Sequence, residues 1–136
     1  MGYTVAADRE AAYAFCTEFF ALGRTDGYQG LVQLKDGETI AAVVYDHFNG
    51  TNIFMHVAAR PGRKWLNRHF LHETFKHPFI TLGCRRVSAW IDRSNQDSRR
   101  FCAHLGFQVE GVMKGAAEDG GDVELYRLFR EECRYA

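Results

Sequence analysis

The sequence predicts an α+β fold in which a mixed, mostly antiparallel central sheet is flanked by helices and contains one parallel pair of strands. Three observations carry that reading. Two β runs at 31–35 and 39–45 flank Asp36-Gly37, a dipeptide that accepts the positive φ angles of a tight hairpin turn. A third run, in which Ile53, Met55 and Val57 alternate with Phe54, His56 and Ala58, extends the pair into an antiparallel meander. The strand–helix–strand passage across residues 53–91 is then long enough to join parallel neighbours by a right-handed crossover.

In chain order, the first expected element is a helix capped by Asp8. Ala11, Ala12, Phe15, Cys16, Phe19, Phe20 and Leu22 follow at helical spacing, and Gly23 stops it. After the Gly/Asp-rich stretch 23–30 comes the hairpin, and Asn49-Gly50 then turns the chain into the third strand. Arg60-Pro61-Gly62-Arg63-Lys64-Trp65 leads into a second helix with Leu66, Phe70, Leu71 and Phe75 apolar. Pro78 should interrupt that helix, because it has no N–H to donate, and Gly83 should end a short second segment. Val87, Ala89 and Ile91 form the next strand. Residues 95–105 read as a compact helix, striped by Ser98, Phe101, Cys102 and Leu105 and closed by Gly106. Strands at 107–112 and 123–129, joined by the acidic loop 115–122, complete the order α, β, β, β, α, β, α, β, β.

Composition sets the frame for this reading. The 136 residues are expected to form one domain, 1–136, large enough to bury a core without metal or disulfide staples. Hydrophobic residues make up 46% and charged residues 25%, an ordinary globular balance. The first residues carry neither a basic stretch followed by an apolar one nor a membrane-length segment, so a cytoplasmic location without membrane contact is expected. Cys16, Cys84, Cys102 and Cys133 include no CxxC pair and are read as reduced thiols. The net charge of zero hides an asymmetry. Residues 60–100 hold ten Lys/Arg against three acids, and the flanks hold seven against fourteen. A polyanionic ligand gripped by the middle is the economical reading, with nucleic acid disfavoured because the charges form no continuous run.

The most informative passage is Val87-Ser88-Ala89-Trp90-Ile91-Asp92, then Asn95 with Ser98 three residues on, then Leu105-Gly106-Phe107 and Glu110-Gly111. This passage resembles the acetyl-CoA-binding half of a GNAT acyltransferase. It is similar to the branch that acetylates ribosomal-protein N-termini and to that branch's small, often phage-borne relatives. The element order matches the GNAT fold over nearly the whole chain. Each residue also has an ordinary structural role, Asn95 as a helix cap and Leu105-Gly106 as a helix end. The conjunction with the preceding strand carries the resemblance.

The resemblance implies an N-acyltransferase that uses acetyl-CoA as acyl donor, with no metal, and a primary amine as acceptor. It implies that Val57, Ala58, Asn95 and Ser98 line the donor site, and that the turn of Arg60, Gly62, Arg63, Lys64 and Trp65 grips the CoA pyrophosphate. Backbone N–H groups at a helix start, together with its dipole, favour phosphate. The sequence departs from the family's Gln/Arg-x-x-Gly-x-Gly/Ala, because Arg63 and Trp65 stand at the two small positions. Either side-chain charge replaces bare amides there, or the turn no longer binds CoA.

Acyl transfer needs a base to keep the amine neutral, donors for the oxyanion and a proton for the leaving thiolate. Where many GNAT enzymes carry an acidic tyrosine, seven residues after the Asn, this chain has Cys102. His56 is the leading base, and Tyr126 ranks above Cys102 as acid, each with a core-packing alternative. Glu118, Asp119 and Asp122 are read as attracting a cationic acceptor: a protein N-terminus, a lysine or a small polyamine. His69, His72 and Glu73 do not have the spacing of a common zinc helix. A non-catalytic adaptor of the same fold, a nucleic-acid-modifying or nucleic-acid-binding relative, and a homodimer all remain open at this point.

Overall fold

Asp36 and Gly37 take φ angles of 51° and 87°, the paired positive values that a two-residue hairpin turn requires. In a computed structural model of the protein, which describes residues 2–136, this turn joins β2 (Gln29–Lys35) to β3 (Glu38–Asp46). β4 (Asn52–Ala59) continues the antiparallel meander, pairing Val44 with His56 and Asp46 with Phe54. The remaining strands are β1 (Tyr3–Ala7), β5 (Arg86–Asp92), β6 (Gln108–Met113) and β7 (Val123–Phe129). All seven form one sheet in the order β1-β2-β3-β4-β5-β7-β6, antiparallel except between β4 and β5. This is the mixed sheet with one parallel pair that the sequence implies.

Two expectations need correction at the N-terminal end. β1 is an edge strand that periodicity does not announce, since four of its five residues are exposed and no buried face alternates along it. The first helix, α1 (Arg9–Cys16), stops well before Leu22. Asp8 caps it as expected, accepting from Ala11 N–H at 3.0 Å. Thr17 ends it by donating its hydroxyl to the Ala14 carbonyl at 3.0 Å, the local competition that makes threonine a poor continuer. Phe19, Phe20 and Leu22 therefore fall in turns beyond the helix. α1 lies so close to β2 that a Cβ on Gly30 would meet Ala12 Cβ at 2.5 Å.

α2 (Arg68–Lys76) is capped by Asn67, whose side chain accepts from Phe70 N–H at 2.8 Å. As expected, the α-helix gives way before Pro78 and a short second segment follows. The next residues, His77–Thr81, widen into a π turn closed by Leu82 N–H on the His77 carbonyl, which tolerates a proline that cannot donate. α3 (Gln96–Leu105) is capped by Asn95 through Ser98 N–H and ends at Gly106 with φ 105°.

The core divides between the two faces of the sheet. α1 covers Val32, Ala42, Val44 and Ala58 with Ala12, Phe15 and Cys16. α2 and α3 cover the other face, where Phe70, Phe75, Phe79, Cys102 and Leu105 pack on Val43, Met55, Val87, Ala89 and Leu128. Between these layers the β4–β5 ladder has only three pairs, ending at Phe54 with Ser88, although β4 runs on to Ala59 and β5 to Asp92. The two strands part there. The turn 60–67 leads from β4 to the N-terminus of α2, and a short turn leads from β5 to that of α3, at the carboxyl ends of the parted strands where open α/β sheets place their ligands.

Candidate active site

The parting of β4 and β5 exposes backbone. Arg60 N–H donates to the Ile40 carbonyl on β3 at 2.8 Å, so along β4 the even-numbered residues turn their backbone groups to β3 and the odd-numbered ones to β5. Val57 and Ala59 lie beyond the last β4–β5 pair. Their N–H groups point into the cleft, as donors for a developing oxyanion must.

On the α1 face of the cleft sits His56, 8% exposed, with Nε2 2.9 Å from Oδ1 of Asp46. Asp46 ends β3 with its side chain 2% exposed, and the same oxygen lies 3.0 Å from Nδ1 of His47. Burial pushes the Asp46 carboxyl up, but the hydrogen bonds and charges of His56 and His47 together outweigh it and hold the group below the usual carboxylate range. Asp46 thus fixes Nε2 of His56 as the protonated nitrogen and leaves Nδ1 as a base. Trp90 of β5, 46% exposed, stands edge-on to the His56 ring at 5.6 Å and packs on Phe54 at 5.1 Å. Asp46 and His47 escaped the sequence reading, and Trp90 entered it only as part of the β5 strand. Only the alternation that places Asp46 and His56 on one face of neighbouring strands could have paired the first with the base.

On the α2/α3 face lies the turn 60–67. Arg60 and Arg63 are both engaged by carboxylates. Arg60 reaches Glu18 at 3.5 Å and Glu38 at 4.0 Å, and Arg63 binds Glu38 at 2.6 Å. Gly62, with φ 76°, makes the bend. Lys64 and Arg68 form no ion pair among the described residues. None of the backbone N–H groups of residues 64–68 donates to a protein acceptor among the described residues. Trp65 packs across the gap between α2 and α3, 6.2 Å from Phe70 and 5.3 Å from Phe101.

The same pairing explains the basic middle. Arg60, Arg63, Arg86, Arg93 and Arg99 meet Glu18, Glu38, Glu110, Asp122 and Glu124 from the acidic flanks. The charge asymmetry is largely neutralised within the fold. A phosphate track along residues 60–100 loses its main support.

Tyr126 and Cys102 lie on the α2/α3 face, across the sheet from His56. The Tyr126 hydroxyl donates to Glu124 at 2.6 Å, and Arg99 Nε donates to the same carboxylate oxygen at 2.9 Å. Burial, and then Glu124, push the Tyr126 phenol up. The Cys102 thiol is pushed up to about 12 by burial among apolar side chains. Asn95 and Ser98 are joined as helix cap and capped amide. In the loop before β7, Asp122 accepts from Gly115 N–H and pairs with Arg93, and Asp119 accepts from Gly121 N–H. Glu118 is exposed. His72 Nδ1 donates to the Tyr135 carbonyl at 2.8 Å.

No protein-family model matches the chain, and no curated protein sequence matches it. Solved structures do. The spermidine/spermine N-acetyltransferase SpeG from Vibrio cholerae, in complex with manganese ions, aligns with a TM-score of 0.76 over 93% of this chain and 92% of that one, at 13% identity. A dodecameric spermidine N-acetyltransferase from the same organism gives 0.78 over 95% and 94%, at 12% identity. The Campylobacter jejuni N-acetyltransferase PseH, in complex with acetyl coenzyme A, gives 0.62 over 78% and 70%, at 14% identity. The likeness is one of fold, and the fold is that of the GNAT acetyltransferases. Among the described residues no helix is long and apolar enough to cross a membrane.

Proposed function

We propose that the protein is an N-acyltransferase that moves an acetyl group from acetyl-CoA to a primary amine by direct attack in a ternary complex. The observation that carries this reading is the cleft itself. The N–H of Val57 points into it, and the Asp46–His56 pair opens onto one of its faces. The residues present fit the donor. Unpaired N–H groups of residues 64–68, with the Lys64 and Arg68 cations, supply phosphate ligands at the start of α2. The thioester carbonyl would then lie between the parted strands.

His56 accepts a proton at Nδ1 as the amine nitrogen bonds to the carbonyl carbon, and Asp46 stabilises the imidazolium through Nε2–H. Val57 N–H donates to the oxyanion. The C–S bond then breaks and the thiolate departs on the opposite face, where the two acid candidates lie. Tyr126 is retained there as acid over Cys102. The Tyr126 hydroxyl sits in a polar cluster with Glu124 and Arg99, whereas the Cys102 thiol is packed among apolar side chains. The acceptor approaches from the α1 face, past Trp90. A cationic amine such as a protein N-terminus, a lysine or a polyamine suits the exposed Glu118 and Asp119. The spermidine and spermine acceptors named for the SpeG structures favour the polyamine.

Titrating acetyl-CoA while following thermal unfolding tests the reading. A ligand that binds only the folded form at ~100-fold above its Kd adds about 2.7 kcal/mol, a shift of several degrees, and should change the emission of Trp65 and Trp90. No shift at millimolar acetyl-CoA would reject the proposal.

A further inference from the structure

The turn before α2 is tied back to the sheet by two side chains that no motif marks. Gln33 of β2 is fully buried, yet it points among apolar residues on the α2/α3 face. A β-bulge between Gln33 and Leu34 shifts the register at that point. Both halves of the Gln33 amide serve the turn. Its Nε2 donates to the Trp65 carbonyl, and its Oε1 accepts from Asn67 Nδ2 at 2.6 Å. Asn67 in turn caps α2 through Phe70 N–H. From β1, the Tyr3 hydroxyl donates to the carbonyl of the preceding residue, Lys64, at 2.9 Å.

Two successive carbonyls are thus held against the sheet. In a trans peptide the N–H of the next residue points opposite to the carbonyl. Drawing back the oxygens of Lys64 and Trp65 therefore aims the N–H groups of Trp65 and Leu66 the other way. Those are among the donors that no protein acceptor takes among the described residues. A carbonyl left free to swing outward would present negative charge to an anion at the same place. The family pattern leaves such a turn bare with small residues. Here Arg63 and Trp65 fill those positions, and the backbone is set from behind instead.

We infer that Gln33 and Tyr3 are positioning residues for the phosphate-binding turn, holding the Lys64 and Trp65 carbonyls back so that the following N–H groups face the pyrophosphate of the acyl donor. This rests on the proposed acetyl-CoA reading. It extends that reading to two residues on other strands, neither of which touches the donor.

The test compares acetyl-CoA with S-acetyl-pantetheine, a donor of the same thioester without pyrophosphate, in wild type, Gln33→Leu and Tyr3→Phe. The expected result is a fall of about tenfold in the ratio of kcat/KM for acetyl-CoA to that for S-acetyl-pantetheine in Gln33→Leu, carried by KM, with a smaller fall in Tyr3→Phe. A residue that merely supports the fold would lower both donors together and leave the ratio unchanged, which would overturn the inference. Tyr3 lies on an exposed edge, so Tyr3→Phe keeps the question decidable if Gln33→Leu folds poorly. A wild type that uses neither donor would instead reject the acyltransferase reading and the inference with it.

Discussion

Replacing Asp46 with asparagine tests the chemistry most directly. The substitution preserves shape at a side chain only 2% exposed, but removes the charge that faces His56 at 2.9 Å. A unit charge pair about 4 Å apart at an effective dielectric near 20 is worth about 4 kcal/mol. His47 shares the same oxygen at 3.0 Å and water reaches the cleft, so about 2–3 kcal/mol of that should stabilise the imidazolium as it forms. The expected consequence is a fall of roughly 10²-fold in kcat at saturating acetyl-CoA, with little change in the acetyl-CoA KM. Steady-state assays at neutral pH with the best acceptor amine measure it, and thermal unfolding of the same sample confirms that the variant is folded. A folded Asp46→Asn enzyme within threefold of wild-type kcat would refute the assignment of His56 as base. The substitution also has a pH signature. Asp46 is depressed in the folded state, so its contribution to stability is present above the ordinary carboxylate range and is lost as pH falls through the folded value. Asp46→Asn should therefore lose less of its melting temperature than wild type between neutral pH and pH about 3.

Further outcomes follow from the same geometry. Gly30→Ala drives a methyl group into Ala12 at 2.5 Å and should cost about 1–3 kcal/mol, roughly 3–10 °C in Tm, as read by calorimetry. Lys64→Ala with Arg68→Ala should raise the acetyl-CoA KM about tenfold or more. Arg63→Ala, which breaks an ion pair with Glu38, should change that KM far less. Cys102→Ala should leave kcat within about threefold while lowering Tm slightly, whereas Tyr126→Phe should lower kcat by roughly 10²-fold. The opposite ranking would exchange their roles.

The meander was legible because its signals are local. Asp36-Gly37 supplies the positive φ angles, alternation from Ile53 to Ala58 sets the faces, and Asn95 and Gly106 mark the two ends of α3. Periodicity reported less where neighbours compete with it. Thr17 ended α1 early through its own hydroxyl, and exposed β1 had no buried face to announce it. Charge counting located the basic middle but not its purpose, because the acids that neutralise it lie far away in the chain.

The sequence by itself determined the order of elements from α1 onward, the parallel crossover and the strand that carries His56, since the signals for each element lie within a turn or a strand of one another. Only the tertiary structure decided that Asp46 and His47 share one oxygen beside His56, that Gln33 holds a turn more than thirty residues away, and that β4 and β5 part beyond Phe54. Those contacts come from register and packing between distant segments. A buried carboxylate or amide takes whatever partner the fold brings within 3 Å, and that distance is set by the whole sheet.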